Sequence, residues 1–154
     1  MIDIERMFDI RLLVTGAMKT RRQTLKHVSV AFAANPRGAG IAYVRTADGS
    51  PLRVAFRVER CPALLGHEVG YAALLAVAAV LRSKGVRAVR IGVSDLRVVD
   101  DLAERRALPK TLALPYVRLR CALNAFARAE VVAVPADEEL AARARAEVEL
   151  AVAA

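Results

Sequence analysis

Tryptophan is absent from this sequence of 154 residues, and aromatic side chains make up only 5% of it, although 56% of its positions are hydrophobic. A core drawn from that supply is aliphatic, packed from alanine, valine and leucine, and one domain of this length can bury a substantial one. Cysteine is nearly missing as well. Cys61 and Cys121 are the only two, far apart and in no C-x-x-C pairing. That spacing indicates neither a disulfide framework nor a zinc knuckle, and two reduced, buried thiols in a cytoplasmic protein are expected. No apolar run is long enough to cross a bilayer: Val69 to Leu81, the longest, falls well short of about 20 residues. The opening Met1-Ile2-Asp3-Ile4-Glu5-Arg6 carries acids early and does not read as a secretory leader. Acids are also outnumbered, 16 against 24 Lys and Arg, for a net charge of +8. Excess positive charge favours a polyanionic partner, nucleic acid or an acidic membrane surface, unless it reflects nothing more than an arginine-rich composition.

What is present divides the chain in two. Residues 1–27 read as an N-terminal helix followed by a basic arm, since Ile4, Met7, Phe8, Leu12 and Leu13 recur at helical spacing before Lys19-Thr20-Arg21-Arg22. Residues 28–154 form the main domain. Val28 to Phe32, Gly40 to Arg45 and Leu52 to Glu59 read as three consecutive antiparallel strands, the last two joined by the hairpin turn Ala47-Asp48-Gly49-Ser50. In the third strand Leu52, Val54, Phe56 and Val58 share one face and Arg53, Arg57 and Glu59 the other. A helix from about His67 to Lys84 closes at Gly85. It is apolar all round from Val69 to Leu81, so it must be covered on more than one side. Val86 to Val93 is a fourth strand, Leu96 to Arg105 a short helix, Tyr116 to Ala127 another, Val131 to Val134 a fifth strand, and Asp137 to Val152 a last helix with Leu140, Ala144, Val148 and Ala151 inward. The order β-β-β-α-β-α-α-β-α implies an α/β fold: a mixed five-stranded sheet, three antiparallel strands and then parallel ones, flanked by helices.

That order resembles the ribonuclease H family, and four local strings carry the likeness. Asn35-Pro36-Arg37-Gly38-Ala39-Gly40-Ile41-Ala42 resembles the N-P-G-P-A-G-I-G turn between the family's first two strands. Gly70-Tyr71-Ala72-Ala73-Leu74-Leu75 resembles the E-Y-x-A-L segment opening its central helix. Val93-Ser94-Asp95-Leu96-Arg97-Val98-Val99 resembles S-D-S-x-L-V, and Asp137-Glu138-Glu139-Leu140-Ala141 resembles A-D-x-L-A at the start of the last helix. The resemblance covers roughly residues 28 to 150. It implies hydrolysis of the RNA strand of RNA–DNA hybrids by two divalent cations held about 4 Å apart. Two hard dications so close together need several carboxylates to offset their repulsion.

Four positions supply those acids in the family. The first falls on Ala33, or on Ser29 if the usual spacing back from Asn35 is kept. The second falls on Gly70; Glu68, two residues earlier, lies about 200° round the helix. The third is Asp95, and the fourth falls on Glu138, with Asp137 adjacent. The family's substrate-reading asparagines correspond to Gly66 and His67. Asp95 also suits an N-cap, and Asp137, Glu138 and Glu139 also suit the first turn of a helix, where acids complement the macrodipole. Asp100-Asp101 reads as a solvated pair.

The resemblance with these departures implies a nucleic-acid-binding protein of ribonuclease-H-like fold whose site is degenerate. Asp95 and Glu138 are catalytic remnants, and Asp95, Glu138 and Asp137 are candidate ligands for one weakly held Mg²⁺ or Mn²⁺. The partner expected is an RNA–DNA hybrid or a duplex, not a membrane, bound by charge and shape. Asn35, Arg37, Arg21, Arg22, Lys84 and Arg87 are the candidate contacts, with further basic residues at Arg82, Arg90, Arg105, Arg106, Lys110, Arg118, Arg120 and Arg128. Two alternatives stand beside this reading. One is an active hybrid nuclease with a rearranged site using Asp95, Glu138 and Glu68. The other is a non-catalytic scaffold or self-association module, a homo-oligomer held through Met7 to Val14.

Overall fold

The computed structural model describes residues 24–58, 65–105 and 107–153. The expected N-terminal helix and arm, with Arg21 and Arg22, lie outside these residues, as do Glu59, Cys61, Arg106 and the side chain of Ala151.

Three strands open the domain: β1 (Lys26–Ala34), β2 (Ala39–Thr46) and β3 (Pro51–Arg57). Asn35 builds the turn between the first two. Its buried side-chain oxygen accepts the backbone N–H groups of Arg37 at 3.0 Å and Ala39 at 3.1 Å. Gly38 follows with φ +88°, and a Cβ there would stand 2.4 Å from the Val58 carbonyl oxygen. No residue with a side chain fits that place without moving backbone. The Val58 N–H in turn donates to the Gly38 carbonyl at 2.7 Å, tying the end of β3 to the turn. Asp48-Gly49 forms the second turn as expected, Gly49 taking φ +85°.

β1 pairs with β2 and β2 with β3, both antiparallel. β4 (Ala88–Val93) runs parallel to β1 with Val30 opposite Val93, and β5 (Arg128–Ala133) runs parallel to β4. The sheet order is therefore β3-β2-β1-β4-β5. The mixed sheet is the one the element order implies.

Four α-helices lie among the described residues: α1 (Leu65–Ser83), α2 (Leu96–Leu102), α3 (Ala113–Asn124) and α4 (Glu138–Ala153). α1 ends where expected, with Gly85 at φ +82° and the Val86 N–H donating to the Leu81 carbonyl at 3.1 Å. This is the glycine-terminated C-cap pattern. α3 begins at Ala113, three residues before Tyr116, after a 3-10 turn at Lys110–Leu112. Pro115 falls in its first turn, where a missing N–H costs nothing. α2 stops at Leu102 short of Arg105, because Glu104 adopts a left-handed φ of 58°.

Alternation along β1 feeds two cores. Val28 and Val30 join the larger one, where α1 lies against the sheet and is covered by α2 and α3; Tyr71, Leu74, Val77 and Leu81 are at most 2% exposed. Ala31 faces the other side with Ile41 and Tyr43, against Leu140, Ala144 and Val148 of α4. Cys121 is exposed, contrary to the expectation of a buried thiol. α3 turns Leu119 and Leu123 inward, so a residue two places on from Leu119 points outward. Among the described residues, no helix is long and apolar enough to cross a membrane.

Candidate functional site

β1 and β4 are parallel, so their C-terminal ends emerge at one edge of the sheet. β4 delivers Ser94 and Asp95 there, and α1 passes the same point with Gly70. The two residues face each other: a Cβ on Gly70 would stand 3.1 Å from Asp95 Oδ2. The same Cβ would stand 2.6 Å from Val98 Cγ2 and 3.5 Å from Phe32 Cζ. The space a side chain at position 70 would need is therefore occupied by apolar groups of β1 and α2.

Asp95 is engaged twice. Its Oδ1 accepts the Arg97 backbone N–H at 3.0 Å, which caps α2. The Arg97 guanidinium also reaches both carboxylate oxygens, Nε to Oδ1 and an Nη to Oδ2, each at 3.2 Å. A positive charge already lies on the carboxylate, whose side chain is only 11% exposed. Ala33 and Ser29 stand on the face of β1 opposite Val28, Val30 and Phe32, and Ala33 packs against the α4 core. Neither position aims at Gly70; Phe32 does.

The acids opening α4 are disposed differently from one another. Asp137 accepts the Leu140 N–H at 3.2 Å through Oδ1 and the Arg45 Nε at 2.8 Å through Oδ2. The helix N–H and then the guanidinium hold its carboxyl below the usual aspartate range. Glu138 is exposed, and Glu139 lies 3.6 Å from Arg45. Among the described residues, no three of His, Cys, Asp and Glu stand together as a cation cage requires. The donors near Asp95 do not match the two-metal centre that the resemblance implies.

Two acids named in the sequence reading are buried, which that reading did not expect. Asp101 is not part of a solvated pair: it is 3% exposed, and its Oδ2 accepts the Tyr71 hydroxyl at 2.6 Å and lies 2.8 Å from His67 Nε2. Asp101 shares the inward stripe of α2 with Val98 and Leu102, at i, i+3 and i+4, and that period was the signal available. Asp100 is the more exposed of the two and pairs with Arg105 at 3.2 Å. Glu68 is 4% exposed, and neither of its carboxylate oxygens has a hydrogen-bond partner among the described residues.

The candidate nucleic-acid residues separate. Arg37 is exposed on the turn after β1, at the sheet edge that carries Asp95, and the buried Asn35 holds that turn in place. Lys84 and Arg87 are exposed ahead of β4, at the opposite edge; eight residues of largely extended chain, roughly 26 Å, separate Arg87 from Asp95. Some of the basic cluster is tied up internally. Glu130 takes Arg90 at 2.6 Å and also pairs with Arg128, and those two guanidiniums hold its carboxyl below the ordinary glutamate range. Arg120 bonds to the Leu102 carbonyl and lies 5.3 Å from the centre of the Tyr116 ring.

No family model matches the sequence, and no curated protein matches it. Solved structures do. RNase H1 from the halophilic archaeon Halobacterium salinarum NRC-1 superposes with a TM-score of 0.66 at 18% identity, covering 82% of this chain and 98% of that one. The N-terminal RNase H domain of a Mycobacterium tuberculosis protein, fused to maltose binding protein, gives 0.62 at 18% identity over 79% of this chain and 95% of its own. LC11-RNase H1 in complex with an RNA/DNA hybrid gives 0.55 at 14% identity over 79% and 91%. Identities this low speak to architecture alone, and on that ground the chain has the ribonuclease H fold.

Proposed function

We propose that this protein binds nucleic acid through a ribonuclease-H-like domain and no longer cleaves it. The single observation that carries the reading is the contact between Gly70 and its surroundings. The position that resembles the family's second acid has no donor, and a side chain there would meet Val98 at 2.6 Å. Refilled space differs from a lost ligand: a cation cage must keep an opening, and here a Val98 methyl and the Phe32 ring stand beside Asp95 in its place. The Arg97 guanidinium on Asp95 supports the same reading, because it supplies the counter-charge in place of a metal. One Mg²⁺ or Mn²⁺ held weakly by Asp95 and Glu138 is the most the acids near this edge offer.

Nucleic acid as the partner rests on the net charge of +8, on the fold, and on a neighbour of that fold that was solved on an RNA/DNA hybrid. The sheet edge with Arg37 and Asp95 is the surface proposed for it. The test is direct. Purified protein is incubated with a labelled RNA–DNA hybrid and Mg²⁺ or Mn²⁺, alongside an Asp95→Asn control. Binding without cleavage is expected. Cleavage that depends on the metal and disappears in the control would establish an active nuclease instead.

A further inference from the structure

A pocket of about 470 Å³ opens between α1, the end of β3 and the start of α3. Its floor is one face of α1: Glu68, Tyr71, Ala72, Leu75, Ala76 and Ala79. These residues run about 16 Å along the helix at its normal rise. Phe56 and Val58 at the end of β3 form one wall, and Leu114 and Pro115 of α3 form the other. The volume is that of a small-molecule site.

The charges on this lining are few and placed unequally. Among the described residues, Glu68 is the buried carboxylate without a hydrogen-bond partner, and its oxygens are closed to solvent. Arg57 and Arg118 also line the pocket but are exposed. A buried carboxylate without a hydrogen-bond donor costs stability, and a protein interior normally removes that cost with a partner. The partner that suits it is a cation small enough to enter between α1, β3 and α3. A simple cation would still leave two guanidiniums near the apolar walls without a complement.

We propose that this pocket binds an amphipathic zwitterion: an apolar chain with an ammonium group at one end and an acid group at the other. The ammonium donates to the Glu68 carboxylate, the chain lies along Leu75 and Ala76, and the acid group meets Arg57 or Arg118 at the rim. The site shares its end of the sheet with the proposed nucleic-acid edge, because Val58 is tied to the Gly38 turn, but its argument does not depend on that proposal.

The probes are 8-aminooctanoate, octylamine and octanoate, measured by calorimetry and by ligand-induced thermal shift on the full chain. The aminooctanoate is expected to bind and to raise the melting temperature, with octanoate about tenfold weaker or worse because it brings no donor to Glu68. Glu68→Gln is expected to weaken aminooctanoate and octylamine about tenfold while leaving octanoate unchanged. A second variant keeps the test independent of how the protein tolerates change at a buried site. Arg57→Ala combined with Arg118→Ala alters exposed positions only, and it is expected to weaken aminooctanoate while sparing octylamine. The proposal is overturned if octanoate binds as tightly as aminooctanoate, if neither variant changes the order of affinities, or if no probe binds at millimolar concentration.

Discussion

A Cβ on Gly70 would lie 3.1 Å from the Asp95 carboxylate and closer still, 2.6 Å, to a methyl group of Val98. Glycine and acid meet at the edge where α1 crosses the end of β4, and the contact leaves no opening between them. Gly70→Glu is therefore expected to lower stability by about 1–3 kcal/mol through overpacking, and not to create a metal site. Thermal melts with and without Mg²⁺, together with the hybrid cleavage assay, check this. A variant of undiminished stability that gains metal-dependent cleavage would show that the space is available after all.

Binding should divide the basic residues by position. Arg37 stands at the Asp95 edge, while Lys84 and Arg87 stand at the other end of the sheet. Arg37→Ala is expected to weaken hybrid binding and to reduce the slope of log affinity against log salt by about one. Lys84→Ala with Arg87→Ala should leave both quantities unchanged. Anisotropy titrations at several salt concentrations measure the slopes, and the reverse pattern would move the interface to the opposite edge.

Asp101 is expected to be the most sensitive polar position in α2. It is buried and takes the Tyr71 hydroxyl and His67 together. Asp101→Ala removes the buried acceptor that both groups share and should cost about 3–5 kcal/mol, the scale for removing one member of a buried charged network. Asp100→Ala, on the more exposed side of the same helix, should cost less than about 0.5 kcal/mol. Urea unfolding of the two variants gives the comparison. Similar losses in both would mean that the buried network contributes nothing particular.

α4 should loosen at both ends of the pH scale. Tyr43 of β2 donates its hydroxyl to Glu147, and Arg53 pairs with the same carboxylate. The Tyr43 hydroxyl, and then Arg53, hold Glu147 below the usual glutamate range. The bond to Glu147, and then burial, raise Tyr43 above the usual tyrosine value. For the acid, the folded pKa is depressed, so its contribution is complete above about pH 4 and is lost as pH falls through the folded value. For the tyrosine, the folded pKa is raised, so its contribution is complete below about pH 10 and is lost as pH rises through the folded value. Tyr43→Phe should flatten the alkaline limb of the stability profile and also weaken the acid limb, leaving there only what Arg53 supports. A profile identical to that of the unaltered protein would sever this pair from α4 docking.

The element order, the faces of β3, the glycine ends of turns and of α1, and the apolar stripe of α4 all follow from local rules that a linear sequence carries. Alternation by two, recurrence at three and four, and the need for glycine at positive φ act within a few residues of each other. That alanine, glycine and aspartate stand at positions 33, 70 and 95 was equally visible, because these are matters of residue identity. Long-range packing decided the rest. Val98 and Phe32 fill the space beside Gly70 only because α2 and β1 converge there from opposite parts of the chain. Asp101 is buried against His67 and Tyr71, and Cys121 is exposed, because of which helix faces meet. Glu68 sits beneath a pocket that three separated elements enclose. Whether an acid is a surface charge, a cap or a buried partner depends on what lies across from it, and that is set only when the sheet and its helices close.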